Sequence, residues 1–162
     1  MTEQATDDTA FVMFTDDFGT VFRVESVRIP AEVRQLKPGE NLRDTLSKFF
    51  HEKLVPLEFT NISPQTTILD EDYVDTAAGK ALFAVVYIPH GSTLMKSVSG
   101  GPDEFEDSVR GVMIFRQHDF LYILMNQEWP MTAERTPPIP MQTRINMRLE
   151  ELQKSVAGMS FQ

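Results

Sequence analysis

Three runs of the chain are apolar at nearly every position, and they constrain the fold more than any other feature. They span residues 81–88, 111–116 and 120–125, and the turn Gln117–Asp119 joins the last two into a hairpin. Successive side chains of a strand point to opposite faces of its sheet, so a strand that is apolar throughout has to be covered on both faces. We therefore predict a sheet with cover on both sides, and residues 81–88 at its centre.

Two amphipathic helices are predicted to supply that cover. The first spans residues 41–54, with Asn41 as its N-cap and Pro56 just beyond its end, and the second spans residues 141–157, with a stop at Gly158. Apolar residues recur at helical spacing in both, namely Leu42, Leu46, Phe49, Phe50 and Leu54 in the first and Ile145, Leu149, Leu152 and Val156 in the second.

The remaining strands are predicted from β-rich runs and turns. Residues 10–15 and 20–29 form a hairpin around an Asp/Gly turn, residues 57–62 alternate like a half-buried strand, and a short strand is predicted at 67–69. Because tight turns join consecutive strands, the sheet is mostly antiparallel. The predicted fold class is α+β, with a central sheet of six to seven strands and helices on both faces, an α/β/α sandwich. Residues 1–9 are predicted to be a disordered tail and residues 10–162 a single domain.

Several kinds of chemistry are excluded or disfavoured by the residues present. The 162 residues include no cysteine, which excludes disulfides, Cys-type zinc sites, iron–sulfur clusters and a thiol nucleophile. Residues 97–102 lack the ending of a phosphate loop, and no Gly-x-Ser-x-Gly nucleophile motif occurs. His51, His90 and His118 are not at metal-ligand spacing. We therefore predict no catalytic residue, no metal, no cofactor and no enzyme activity.

The net charge of −9 bears on partners. An acidic protein is repelled by phosphate backbones and by anionic membrane surfaces, so neither nucleic acid nor a membrane is a predicted partner. No run approaches 18 apolar residues, and the start of the chain carries no secretion signal, so the predicted location is cytoplasmic. Another protein is the predicted partner.

The acidic run 70–75 lacks the ligand ladder and the glycine of an EF-hand loop. We interpret it as a solvated connection between strands, and binding of a divalent ion by this run stays an open alternative.

Three binding hypotheses follow. A lone Trp beside flexible Met side chains is either a core plug or a patch for a protein ligand. The candidate binding residues are Trp129, Met125, Met131, Glu128, Arg135, His90 and His118. The second hypothesis is a small-molecule binder or enzyme with a cleft near residues 89–109. The side chains expected to line that cleft are Tyr87, His90, Asp103, Glu104 and His118. The third is a homodimer through the 111–125 hairpin, should that hairpin lie at a sheet edge.

Three segments carry a resemblance to a known family. They run from Gly79-Lys80-Ala81 to Tyr87, from Arg110-Gly111 to Tyr122, and from Leu152 to Phe161. In this order of elements the chain resembles the PsbP family of photosystem II extrinsic subunits, and it is similar to bacterial DcrB-type proteins. The resemblance implies an α/β/α sandwich and a non-catalytic binding, assembly or accessory role.

Overall fold

The computed structural model describes residues 2–6, 9–15, 21–29, 41–91, 95–96, 104–105, 107–127 and 139–160. Its nine strands are β1 (Thr2–Ala5), β2 (Thr9–Thr15), β3 (Val21–Arg28), β4 (Thr67–Thr76), β5 (Gly79–Ile88), β6 (Met95–Lys96), β7 (Glu104–Phe105), β8 (Ser108–Gln117) and β9 (Phe120–Gln127). The helices are α1 (Leu42–Phe49), which continues as a π-helical segment (Phe50–Thr60, the π segment), and α2 (Met141–Ala157).

Seven of these strands form one sheet in the order β1-β2-β3-β9-β8-β5-β4, and every neighbouring pair is antiparallel. The short strands β6 and β7 pair only with each other. The predicted α+β class with an antiparallel sheet is confirmed. The prediction that residues 81–88 form the centre is wrong, because β3 joins β9 and makes β9 the middle strand. An apolar run indicates that both faces of a strand are covered. Coverage of both faces does not determine where that strand lies in the strand order.

The N-terminal segment also differs from its prediction. Residues 2–5 form the edge strand β1, which pairs with β2 in the register Thr2↔Met13 to Ala5↔Ala10, where a disordered tail was predicted. Edge strands can be polar because they are solvated, so the polar composition of this segment did not indicate a strand.

Helix α1 begins as predicted but ends differently. The side-chain oxygen of Asn41 accepts a hydrogen bond from the backbone N–H of Asp44 at 2.9 Å and caps the helix. From Phe50 the helix continues as the π segment, which contains Pro56 and ends at Thr60, so the strand predicted at residues 57–62 is wrong. Leu54 and Phe59, both buried, are five residues apart, which matches the wider turn of an i→i+5 helix better than the 3.6-residue α period.

The acidic run 70–75 lies within β4, so its interpretation as a connection between strands is also wrong. β4 is an edge strand, and its pairing with β5 contains a bulge between Ile68 and Asp70. The bulge interrupts the alternation of apolar and polar residues, which is why the sequence suggested only a short strand here.

The buried side chains form two clusters that share the strands. Alternate residues of β5 enter different clusters. The first combines side chains of α1 and the π segment with those of the sheet, including Leu46, Phe50, Leu54, Phe59, Leu82, Ala84, Val86 and Ile88. The second includes α2, with Ala81, Phe83, Val85, Ile145, Leu152 and Val156.

The antiparallel order gives the sheet two distinct ends. β2, β5 and β9 end where β3, β4 and β8 begin, and we call this the loop end, because the chain there leaves for residues 16–20, 92–106 and 128–138. The opposite end, the hairpin end, contains the tight turns after Thr76 and Gln117. The β8–β9 hairpin is internal to the sheet, so it offers no edge for the homodimer that the sequence suggested.

Candidate functional site

The loop end is where the structure places most of the predicted binding residues that it describes. Met125 lies near the end of β9, buried in the first cluster and opposite Arg23 of β3. β9 ends at Gln127. The other members of the predicted Trp/Met patch lie outside the described residues, namely Glu128, Trp129, Met131 and Arg135.

The two predicted histidines do not form one site. His90 follows β5 at the loop end, whereas His118 lies in the β8–β9 turn at the hairpin end. β8 spans that distance with ten residues, roughly 30 Å of extended chain. Both histidines have a positive φ, 54° and 53°, in the left-handed region that ends a strand in a tight turn.

A cluster of charged side chains that the sequence did not reveal lies at the loop end. The guanidinium of Arg23 donates from Nη1 to Glu58 Oε2 at 2.7 Å and from Nη2 to Glu25 Oε2 at 2.5 Å. Its Cζ atom is 5.3 Å from the centre of the Phe11 ring, within the range of a cation–π contact. Together with Arg110, we call these residues the arginine–glutamate cluster (Arg23, Glu25, Glu58, Arg110).

Burial governs the electrostatics of this cluster. It raises the pKa of Glu25, an effect that the neighbouring Arg23 opposes and the charge of Glu58 reinforces. Burial also lowers the pKa of the Arg110 guanidinium, which Glu58 opposes and Arg23 reinforces. The two arginines are thus close enough to repel each other, and Glu58 interacts with both.

Arg110 anchors the chain as it leaves β5. Its Nη2 donates to the carbonyl oxygen of Gly91 at 2.6 Å, and its Nε donates to Ser108 Oγ at 3.3 Å. Both acceptors are neutral.

Asp107, directly before β8, makes a second link to the end of β5. The Tyr87 hydroxyl donates a short hydrogen bond to Asp107 Oδ2, and the backbone N–H of His90 donates to Asp107 Oδ1 at 3.0 Å. Of the five groups proposed to converge near residues 89–109, Tyr87 and the backbone of His90 meet, on a carboxylate that was not among them. Glu104 belongs to β7, Asp103 is outside the described residues, and His118 is at the other end.

Replacing Tyr87 with phenylalanine is expected to reduce stability by up to about 1 kcal/mol at neutral pH, because water can partly replace a surface hydrogen bond. The hydrogen bond with Asp107 raises the pKa of Tyr87, and the hydrogen bond from Tyr87 lowers the pKa of Asp107. A lowered carboxyl pKa stabilises the fold above the ordinary Asp pKa, and a raised phenol pKa stabilises it below the ordinary Tyr pKa. The difference from the unaltered protein should therefore be constant between about pH 4 and pH 10 and shrink outside that window.

Urea unfolding across that pH range measures this difference. Tyr73→Phe is the matched control, since its hydroxyl makes no hydrogen bond to any described residue. A loss that did not change with pH would contradict the role assigned to Asp107.

A partly buried cluster of polar side chains joins α2 to the sheet near the loop end. Glu151 accepts from Asn126 Nδ2 and from Arg148 Nη2, both at 2.8 Å, and Arg148 is only 5% exposed. Gly111 lies directly beside them, opposite Asn126 in the β8–β9 pairing. These contacts fix where α2 lies on the sheet.

Large apolar side chains are exposed around the loop end. Of the five exposed in the described part of the chain, four lie there and form what we call the apolar rim: Phe14, Leu57, Ile62 and Met141. Phe14 is next to the last residue of β2, and Leu57 and Ile62 flank the end of the π segment, beside Glu58. Met141 opens α2, whose Arg144 interacts electrostatically with Tyr87. The fifth, Met147, lies in the middle of α2.

No protein-family model matches the chain, and neither does any curated protein.

Two properties of the described residues bear on other kinds of site. No three of their acidic and histidine side chains form a group that could hold a metal ion. None of their helices is long and apolar enough to cross a membrane.

Proposed function

We propose that the chain is a non-catalytic protein-binding or accessory factor that contacts its partner through the loop end. The observation that carries this proposal is the apolar rim, four exposed large apolar side chains from three different parts of the sequence at one end of the sheet. Apolar side chains that group on a surface with a polar surrounding are typical of protein-binding surfaces.

The hydrogen bonds among the polar groups at the same end support a role as a scaffold for binding segments rather than as a catalytic centre. Both carboxylates next to Arg23 are hydrogen-bonded to it, and both oxygens of Asp107 accept hydrogen bonds from β5 or the turn after it. Such contacts fix the strand ends from which these segments leave the sheet. Binding residues often lie on segments that a rigid scaffold positions in this way. The predicted patch of Trp129 and Met131 would belong to one such segment, because β9 ends at Gln127.

The architecture is part of the same proposal. Because alternate residues of β5 pack with α1 in one cluster and with α2 in the other, we infer an α/β/α sandwich. This arrangement and the order of elements support the resemblance to the PsbP and DcrB-type families and the accessory role that it implies. The partner would be met in the cytoplasm, the location predicted from the sequence.

Charged residues in the apolar rim are expected to abolish partner binding. The double variant Leu57→Glu with Ile62→Glu should fold, because both side chains are exposed in the free protein, yet it should recover no specific partner from cell extract. Quantitative affinity purification with mass spectrometry, run on the unaltered protein and on the variant, measures the difference.

Met147→Glu is the matched control, because Met147 is 36% exposed but lies away from the loop end. Its partner profile should equal that of the unaltered protein. Equal recovery by the double variant, or no specific partner for the unaltered protein, would count against the proposed function.

A further inference from the structure

Arg110 carries a positive charge that no carboxylate in the described part of the chain neutralises directly. It is half-buried, and burial lowers the pKa of its guanidinium. Among the described residues it forms no ion pair, since its hydrogen bonds go to the neutral oxygens of Gly91 and Ser108. Glu58 is near enough to act on Arg110 electrostatically, but its hydrogen bond is with Arg23. A partly buried charge without a bonded counter-ion is costly, and such groups recur at binding sites.

The neighbouring Arg23 is already paired within the cluster. Its two terminal nitrogens bond to Glu25 and Glu58, but its Nε is buried and donates to no described acceptor. Arg23 and Arg110 lie two strands apart, on β3 and β8, with β9 between them. Burial is the main cause of the lowered pKa of Arg110, and the positive charge of Arg23 adds to it. A carboxylate beside Arg110 would supply the bonded counter-ion that this guanidinium lacks among the described residues, as Glu25 and Glu58 do for Arg23.

We propose that Arg110 binds a carboxylate of the partner protein, from an acidic side chain or the chain terminus, as the partner packs on the apolar rim. The inference rests on the proposed function and names the polar contact that accompanies the apolar one. A guanidinium matches a carboxylate in both geometry and charge. A phosphate group suits the cluster less, because Glu25 and Glu58 repel its second negative charge more strongly than they repel a carboxylate. The apolar rim supplies the buried contact, and the carboxylate fixes the orientation of the partner.

The test replaces Arg110 with glutamine and measures the affinity for the partner recovered with the unaltered protein, by isothermal titration calorimetry. Loss of a charge-assisted contact is expected to weaken binding at least about tenfold. The loss should be smaller at high salt, since screening also weakens the contact in the unaltered protein. Arg116→Gln is the matched control, since Arg116 belongs to the same strand but lies at the hairpin end, where its Nε donates to the carbonyl of His118. It should leave the affinity unchanged.

Arg110→Lys provides a second variant that keeps the charge while removing the planar fork. It should bind more weakly than the unaltered protein even if Arg110→Gln fails to fold. Full affinity in Arg110→Lys and Arg110→Gln, together with a loss in the Leu57→Glu, Ile62→Glu variant, would overturn this inference and leave the proposed function standing.

A thermal-shift comparison of sodium acetate with sodium chloride at equal ionic strength separates the partner from a free anion. If no partner is recovered, the proposed function fails. Stabilisation by acetate that Arg110→Gln removes would then assign the site to small carboxylates and overturn the partner assignment. The absence of any acetate effect in that case would overturn the site itself.

Discussion

Replacing Gly111 with alanine is expected to destabilise the protein by about 3 kcal/mol, near the upper end for overpacking a well-packed interior. A Cβ atom on Gly111 would lie 2.4 Å from Asn126 Oδ1, 2.9 Å from Arg148 Cβ and 3.1 Å from Leu152 Cδ1. The Asn126 side chain cannot turn away without losing its hydrogen bond to Glu151, and the other two atoms belong to α2. The added methyl group therefore has to push the helix off the sheet or break the hydrogen bonds of this polar cluster.

Urea unfolding followed by circular dichroism measures this change. Gly158→Ala is the matched control, because the nearest atoms to a Cβ there are 3.6 Å and 3.8 Å away and its backbone is already in the right-handed helical region. We expect that control to stay within about 0.5 kcal/mol of the unaltered protein. Equal stability of the two variants would mean that α2 does not pack as closely on β8 as described.

Replacing Phe59 with alanine should cost about 3–5 kcal/mol, the usual loss when a buried aromatic ring leaves a cavity. Phe59 is 0% exposed in the first cluster. Its carbonyl oxygen also receives the backbone N–H groups of Ile62 and Ser63 as the π segment ends. The ring and the turn therefore hold this end of the segment against the sheet.

Leu57→Ala makes this prediction a direct test of the π segment. In the strand predicted from the sequence, Leu57 and Phe59 would share one face and both would be buried. In the structure Leu57 is 70% exposed, so its replacement should change the free energy of unfolding by no more than about 0.5 kcal/mol. Similar losses for Leu57→Ala and Phe59→Ala would favour the strand and contradict the helix.

Much of the framework could be predicted because it follows from local patterns. The apolar runs of β5, β8 and β9 indicated strands with two covered faces, and the N-cap at Asn41 located the start of α1. β4 was mostly missed because four acidic residues are poor strand formers and the bulge breaks the period of two. The π segment was missed because Pro56 normally ends a helix.

The candidate site was less predictable because it depends on contacts distant in the sequence. Arg23 and Glu25 alternate with apolar residues on β3, and this pattern indicated a partly solvated strand. Glu58, 35 residues further on, is what makes them a partly buried ion-pair cluster, and no local pattern links it to Arg23. One feature of the sequence could have indicated Asp107 as a site residue, namely its position directly before β8. Exposure of the apolar rim depends on the tertiary arrangement and had no signal in the sequence.

The sharing of β5 and β8 between two clusters limits how the length of this chain can vary. A single inserted residue in either strand would move every following side chain into the opposite cluster, exchanging large and small groups throughout the interior. Insertions and deletions are therefore tolerable mainly in the segments that leave the loop end. β4 shows the exception, since its extra residue is absorbed at the bulge between Ile68 and Asp70. A strand with a neighbour on one side only can change its register at the cost of a single pairing.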